Sequence, residues 1–539
     1  MNHRLALLTL PMLLATGHAW AMSDADLAGI VRQRLEGDRT GACMAVAVVE
    51  KDHVARTFQC ADPADAGRIG PDAAFEIGSV SKTMTATLLA DLILQGRGSL
   101  DDTLASWLPE GTRVPDYQGQ PILLRHVVTH TSGLPRLPPR LDEARMDDPY
   151  AGLDAEALLA SLADVELEAA PGTRFAYSNF ASMLLSYAVA RRAGVDFETL
   201  LRERLFAPLG MDHAYIDRPP RGVRPATGHT PNRQPAPPWR FAADLAGVGG
   251  VRATLEDMVR YVQAGLGRSG APIARAMAMT REPVSQTPPM GMNWIIAPVP
   301  GRNVLVHEGG TGGFSSFVAL DPQRQRGVVV LSDTAWTSLG GLGSLANHLV
   351  DASLPLGGPR REVAPEPALL QALEGEYRLE GVAPMRLRQR DGKLFADVEG
   401  QGEFELGYDS AGDFYPLQFD ALLRPHRRAD GSWGLTWLQG GGEIPVVRAD
   451  LELPSAEDMP GYAGTYPLLP GFSLTVREEG GQLVAQATGQ GAFPLRAVAR
   501  DHFEAPVFGI EIRFLRDRSG EVASLELHQH GNVLRGRRQ

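Results

Sequence analysis

The chain has 539 residues, 44% of them hydrophobic, enough apolar material for roughly three globular domains. A formal net charge of −12 with no basic run argues against a nucleic-acid partner, because phosphate binding relies on clustered Lys and Arg. No apolar stretch reaches the roughly 20 residues needed to span a bilayer, so no integral membrane segment is expected.

At the N-terminus, Arg4 precedes an apolar run from Leu5 to Ala15, and Ala19-Trp20-Ala21 puts small residues at both cleavage positions. This pattern predicts a secretory signal over 1–21, cut after Ala21, and hence a periplasmic or secreted protein. A true start at Met22 is the alternative reading. Cys43 and Cys60 are the two cysteines of the chain. Ala45 to Val49 reads as a strand, Lys51-Asp52-His53 as a turn and Val54 to Phe58 as a returning strand. The cysteines then face each other across a hairpin, where an oxidising compartment allows a disulfide; two buried thiols remain the alternative.

Phe75-Glu76-Ile77-Gly78-Ser79-Val80-Ser81-Lys82 follows, ahead of a helical pattern from Thr83 to Leu94. Gly78 can turn the chain into a helix whose first turn holds Ser79, and Lys82, three residues on, can fold back to the serine hydroxyl. A serine is a weak nucleophile until a base takes its proton, and a desolvated lysine has the lowered pKa to do so. Ser-x-x-Lys alone occurs by chance roughly twice in a chain this long. Its context is what carries weight. Leu124 to Pro135 contains His126, His130, Thr131, Ser132 and Gly133. Tyr177-Ser178-Asn179 follows Pro171-Gly172-Thr173, then comes Pro208-Leu209-Gly210-Met211, and last His307-Glu308-Gly309-Gly310-Thr311-Gly312-Gly313. No Gly-x-Ser-x-Gly elbow and no His-Glu-x-x-His zinc motif occurs, and no metal or cofactor is implied.

Pro and Gly punctuate 353–359, and Pro365 and Pro367 follow, which predicts a linker over 353–367 after a domain spanning 22–352. Beyond it lies an internal repeat. Gly375 and Tyr377 recur as Gly464 and Tyr466, an offset of 89 (375 to 464). Gly392, Leu394, Phe404, Phe414 and Gly431 recur as Gly481, Leu483, Phe493, Phe503 and Gly520 in the same register. Each copy holds short alternating runs split by turn residues, such as Met385 to Arg390 and Lys393 to Val398. These predict two small all-β antiparallel barrels over 368–451 and 452–539; one larger sheet domain is the alternative.

The order of motifs resembles the serine β-lactamase and penicillin-binding protein superfamily, on the branch of class C β-lactamases, D-stereospecific peptidases and SxxK esterases (peptidase S12-like). The resemblance covers about residues 30–350 and implies an α/β (α+β) catalytic domain with an antiparallel sheet and a helical region, the two barrels then being lipocalin-like additions. It implies Ser79 as nucleophile, Lys82 as its partner and Tyr177 as a proton shuttle whose pKa a Lys82 cation would lower. It assigns the oxyanion hole to the Ser79 and Gly310 N–H groups, and Asn179, with Gly309 and Glu308 of the closing strand, to substrate binding.

Many members carry Lys-Thr-Gly where this chain has His307-Glu308-Gly309. His307 is only partly charged near neutral pH and Glu308 adds a carboxylate, so a β-lactam or a free C-terminal carboxylate should bind poorly; alternation along the strand leaves a Glu308 that points away from the cleft as the alternative. His126 and His130 fall in a stretch that is structural in the family. The layout with two barrels is similar to that of D-aminopeptidase, where a barrel loop restricts the site. The sequence reading is therefore an exported serine hydrolase that cleaves amide bonds of small peptides, D-residues included, through a Ser79 acyl-enzyme. A broad carboxylesterase is its alternative, ahead of β-lactamase or DD-carboxypeptidase action and of a binding protein without catalysis. The partner implied is a small-molecule or peptide substrate; oligomeric state is not written in these motifs.

Overall fold

A computed structural model describes residues 21–141, 147–429, 431–439, 442–448, 453–517, 519–529 and 532–539. The expected signal segment lies outside the described residues up to Trp20. The chain forms two compact units, dividing between Arg360 and Arg361. The stretch expected as a linker is thus partly built into the first unit. The Arg360 N–H donates to Asp38 Oδ2 at 2.8 Å, and the Arg360 carbonyl accepts from the Arg39 N–H.

The first unit is built on an antiparallel sheet of eight strands. Its order is Ser285–Gln286, Pro289–Met290, Ile295–Val299, Arg302–Gly310, Ser315–Asp321, Arg326–Ser332, Cys43–Val49 and Val54–Cys60. Cys43–Val49, the first strand, thus pairs with Arg326–Ser332, the last strand of this sheet. Cys43–Val49 and Ser315–Asp321 are buried along their whole length, which is why the first reads as an unbroken apolar run rather than as alternation. Cys43 and Cys60 are register partners and are joined by a disulfide.

Two of the unit's helices position the site. Ser81–Leu94 is buried on all sides from Ser81 to Leu92, so it has no polar face to show. Asn179–Ala193 is capped by Ser178, whose hydroxyl accepts the Ala181 N–H at 2.9 Å, and it ends at Gly194 in the left-handed region. No helix among the described residues is long and apolar enough to cross a membrane.

In the second unit each repeat copy is an eight-stranded antiparallel barrel. The first runs from Gly375–Leu379 to Gly442–Arg448 and closes by pairing these two strands. The second runs from Gly464–Leu469 to Asn532–Arg537, its ends joined by the Gln539 N–H to the Thr465 carbonyl at 2.9 Å. Repeated residues hold equivalent places: Leu394 and Leu483, and Phe414 and Phe503, are wholly buried in their own cores. A short helix, Pro367–Leu373, adds Leu369, Leu370 and Leu373 to the first core, so that unit begins before the first strand.

Candidate active site

Ser79 sits in a 3-10 turn, Gly78–Val80, that runs directly into the buried helix. Gly78 has a φ of 50°, and a Cβ there would lie 2.6 Å from the Gly310 nitrogen. Only glycine satisfies both demands. A Cβ on Gly309 would collide with the Ile77 carbonyl oxygen and come within 2.9 Å of the Ser79 nitrogen. The glycines of the closing strand are therefore required first by the nucleophile turn that presses on them. Ser316 on the next strand donates to the same Ile77 carbonyl at 2.7 Å and locks turn to sheet. This arrangement sets the Gly310 backbone beside the Ser79 turn, where two N–H groups could receive an oxyanion.

Lys82 lies one turn along, 1% exposed. Its Nζ is hydrogen-bonded to Ser79 Oγ at 2.9 Å and donates to the Val248 carbonyl at 2.7 Å. Burial, helped by the Arg136 cation, drives its pKa well below that of an ordinary lysine, which makes a neutral amine accessible as a base. The Val248 carbonyl can only accept. It therefore engages an amine N–H and leaves the lone pair to the serine hydroxyl.

Tyr177 completes the group, with Lys82 Nζ 5.1 Å from its ring centre. Here the structure corrects one expectation. Burial outweighs the hydrogen bond with Ser79 and pushes the Tyr177 pKa up to about 12. Lys82 cannot lower it, since its own burial disfavours the cation. Tyr177 is thus a neutral hydroxyl, able to relay a proton but not to act as a resident phenolate. Its ring is held by His130, stacked at 4.3 Å between centres. His130 Nδ1 accepts the Ser178 N–H at 3.2 Å, so Nε2 carries the proton, and that buried atom has no partner. His126 accepts the Leu123 N–H at 3.1 Å, and its ring packs against Gly172.

His307 is 3% exposed and its Nδ1 lies 2.9 Å from the Glu308 carbonyl oxygen. Burial, with the nearby Lys82, lowers its pKa to about 3. It is therefore neutral at pH 7, with Nδ1–H donating to that carbonyl and Nε2 left as an acceptor. This is a stronger departure from a motif lysine than partial charge. Glu308 is not brought to the nucleophile. Its carboxylate accepts the Leu342 N–H at 2.5 Å, and strand alternation turns it to the face opposite His307. The expected like-charge repulsion of a substrate carboxylate therefore has no geometric basis, while the missing cation does.

Asn179, at the start of its helix, donates from Nδ2 to the Tyr150 hydroxyl at 3.0 Å, and its Oδ1 is buried without a partner. With Ser79, Tyr150, Trp239, Phe241 and Thr311 it lines a cavity of ≈ 20 Å³ beside the nucleophile. Sequence reasoning missed Val248, Trp239, Tyr150 and Arg136. No cluster of His, Cys, Asp or Glu able to hold a metal occurs among the described residues.

The profile of the Beta-lactamase family matches residues 27–338. The D-alanyl-D-alanine-carboxypeptidase/endopeptidase AmpH of Escherichia coli is 32% identical over 307 residues, covering 53% of this chain and 78% of that protein. A solved β-lactamase/D-alanine carboxypeptidase from Yersinia pestis superposes with a TM-score of 0.50 at 25% identity, over 60% of this chain and 97% of that one. An octameric penicillin-binding protein homologue from Pyrococcus abyssi, 17% identical, shares the fold over 86% of this chain and 98% of its own, with a TM-score of 0.53.

Proposed function

The chain belongs to the Beta-lactamase family and is an SxxK serine hydrolase, and from that premise we propose that it is an exported peptidase cleaving small D-residue-containing peptides through an acyl-enzyme on Ser79. The observation that carries this reading is the Lys82 amine, fully buried and bonded to Ser79 Oγ at 2.9 Å. Neutral Lys82 takes the Ser79 proton as Oγ bonds to the scissile carbonyl carbon. The Ser79 and Gly310 N–H groups receive the oxyanion. Lys82 then returns its proton through Tyr177, which donates its own to the leaving nitrogen as it accepts the one from Lys82. The C–N bond breaks and an ester remains on Ser79. Water, activated by the same pair, hydrolyses it.

A D-alanyl peptide is favoured as substrate by the likeness to AmpH, whose name gives that activity. The neutral His307 removes the cation that would hold a β-lactam carboxylate. Export is supported by the signal-like 1–21 segment, by the Cys43–Cys60 disulfide, and by Met22, whose backbone nitrogen donates to Glu50 at 3.0 Å. Cleavage after Ala21 would turn that contact into an ammonium–carboxylate pair.

The test incubates purified residues 22–539 with D- and L-alanine p-nitroanilides, each with a free and an acetylated amine, beside a p-nitrophenyl ester and a chromogenic cephalosporin. Amide turnover confined to the D series and absent in Ser79→Ala is the expected result. Ester turnover alone would replace the reading by a carboxylesterase, and dominant cephalosporin turnover by a β-lactamase.

A further inference from the structure

The two barrels repeat one frame, so a place where the copies differ in the same register shows what each has added. Tyr408 and Tyr415 of the first barrel correspond to Ala497 and Glu504 of the second at the common offset of 89 (408 to 497, 415 to 504). The strand pairing is the same in both. Gly407 faces Tyr415 and Tyr408 faces Phe414, as Arg496 faces Glu504 and Ala497 faces Phe503. In the first barrel both rings fill space. Tyr408 packs on the core with its ring 4.5 Å from that of Phe414 between centres. Tyr415 is buried across Gly407, where a Cβ would collide with its ring. The second barrel has neither ring, and there a pocket of ≈ 680 Å³ opens, lined by Ala497 and Glu504 among others.

Its walls state what it can hold. Met459, Leu483, Leu495 and Ala505 give it an apolar side drawn from the barrel's own core. Phe508 borders it with its ring 5.1 Å from that of Phe493 between centres, and Val507 beside it is 90% exposed. Large apolar side chains left in water around a pocket of this size fit a ligand with an aliphatic body. The charged groups of the lining fix the other end. Arg496 donates to Glu380 at 3.3 Å and to Glu504 at 2.8 Å, and Arg428 lies 4.0 Å from Glu504. Both carboxylates of the lining are thus compensated. Arg378 stands on the outer face of its strand, opposite to the buried Tyr377 and Leu379, and lines the same pocket. Its guanidinium has no ion pair or hydrogen bond among the described residues. An apolar wall beside one uncompensated cation attracts an amphiphilic anion and repels an amphiphilic cation.

We infer that the second barrel carries a binding site for a single-chain aliphatic carboxylate. The chain lies against Leu483, Leu495 and Ala497, in room made by the loss of the rings present in the first copy, and the carboxylate meets the Arg378 guanidinium, whose planar fork suits it. None of the lining residues belongs to the catalytic unit, so this site is additional to the one around Ser79.

The experiment is equilibrium dialysis of residues 22–539 against radiolabelled decanoate, below its micellar concentration, with unlabelled decanoate, decanol and decyltrimethylammonium as competitors. The wild type is expected to bind one decanoate per chain. Decanol should displace it only at about tenfold or more the concentration of unlabelled decanoate, and the ammonium should be weaker still. Ala497→Tyr restores the ring of the first barrel and is expected to abolish binding, with its urea denaturation midpoint reporting that it folds. Arg378→Gln, at an exposed position, is expected to weaken decanoate by about tenfold or more and to leave the affinity for decanol unchanged. No saturable uptake of decanoate by the wild type would overturn the inference, and so would competition by decanol or the ammonium as effective as that by decanoate. Decanoate binding that a folded Ala497→Tyr, or Arg378→Gln, leaves at the wild-type level would overturn it as well.

Discussion

Buried tyrosines in the two units show what distinguishes a reacting group from a structural one. Tyr177 in the catalytic unit and Tyr466 in the second barrel are both pushed up to about 12 by burial, and so is Tyr261, which shares a hydrogen bond with Thr83. A raised pKa is therefore no mark of a site. The partner is. Tyr466 donates to the Tyr462 carbonyl at 2.8 Å, and Tyr377, its counterpart in the first barrel, donates to the Leu373 carbonyl at 2.9 Å. Those protons have nowhere to go. The Tyr177 hydroxyl faces Ser79, which is bonded to Lys82, so three exchangeable groups stand in line.

The contrast breaks first at Lys82. Lys82→Arg keeps a positive charge but cannot supply a neutral base, because a guanidinium stays protonated. Turnover of any acyl donor is expected to fall by at least about a thousandfold, close to the loss in Ser79→Ala. The wild-type rate of Ser79 acylation should also be present above the depressed lysine pKa and disappear as pH falls through it, since protonation removes the base. An acylation rate independent of pH over the stable range would remove Lys82 from that role. Tyr177→Phe comes next, with a loss of about 10²–10⁴-fold for amides. The loss should be smaller for p-nitrophenyl esters, whose leaving group needs no proton. Equal losses for both would make Tyr177 a packing residue like its barrel counterparts.

The His307 pKa of about 3 gives a smaller effect with a defined sign. The unfolded chain binds a proton at this histidine below about 6.5, and the folded one only near 3. Between those values the unfolded state holds more protons, so stability rises with pH and is lost on acidification. Relative to His307→Asn, the wild type should lose up to about 3 kcal/mol more between pH 6.5 and 4.5, measured by urea denaturation. Parallel pH dependences in the two proteins would mean that the ring is solvated.

What the sequence made legible follows from distance along the chain. Ser79 and Lys82 are three residues apart on one turn, and the hairpin of Cys43 and Cys60 is local, so pattern alone places them. The barrels were readable because duplication prints the same residues twice at one offset, a signal independent of any structural rule. The misses all depend on contacts between distant segments. Val248 reaches Lys82 through a backbone carbonyl, which leaves no trace in residue type. Trp239 joins the cavity lining with its backbone held by Glu76 and Arg252, both remote in sequence. The direction of Glu308 was undetermined because alternation gives two faces and not which one meets the substrate. The Tyr177 pKa was misjudged because a neighbouring lysine was taken as a cation, when the burial they share disfavours charge on both.

The smallest predicted effect tests the barrel half of the comparison. The hydroxyls of Tyr377 and Tyr466 occupy equivalent places in a duplicated frame and bond the carbonyl four residues back in each copy. Each of these carbonyls lies in the short helical segment that leads into its barrel, Pro367–Leu373 or Met459–Tyr462. The bond therefore ties the entering segment to the first strand. Removing it by Tyr377→Phe or Tyr466→Phe keeps the ring in the core and leaves a carbonyl unpaired, at about 1 kcal/mol each. The measurement is the denaturation midpoint of each single variant, with kcat on the D-alanine anilide as control. The two losses should match within about 0.5 kcal/mol, since the local geometry is the same, and add in the double variant because separate cores carry them. Markedly unequal losses would mean that the copies have diverged in how they hold their first strand, despite the common register. A drop in kcat of the size expected for Tyr177→Phe would mean that the barrels take part in catalysis, and the division between a reacting and a structural tyrosine would then have to be redrawn.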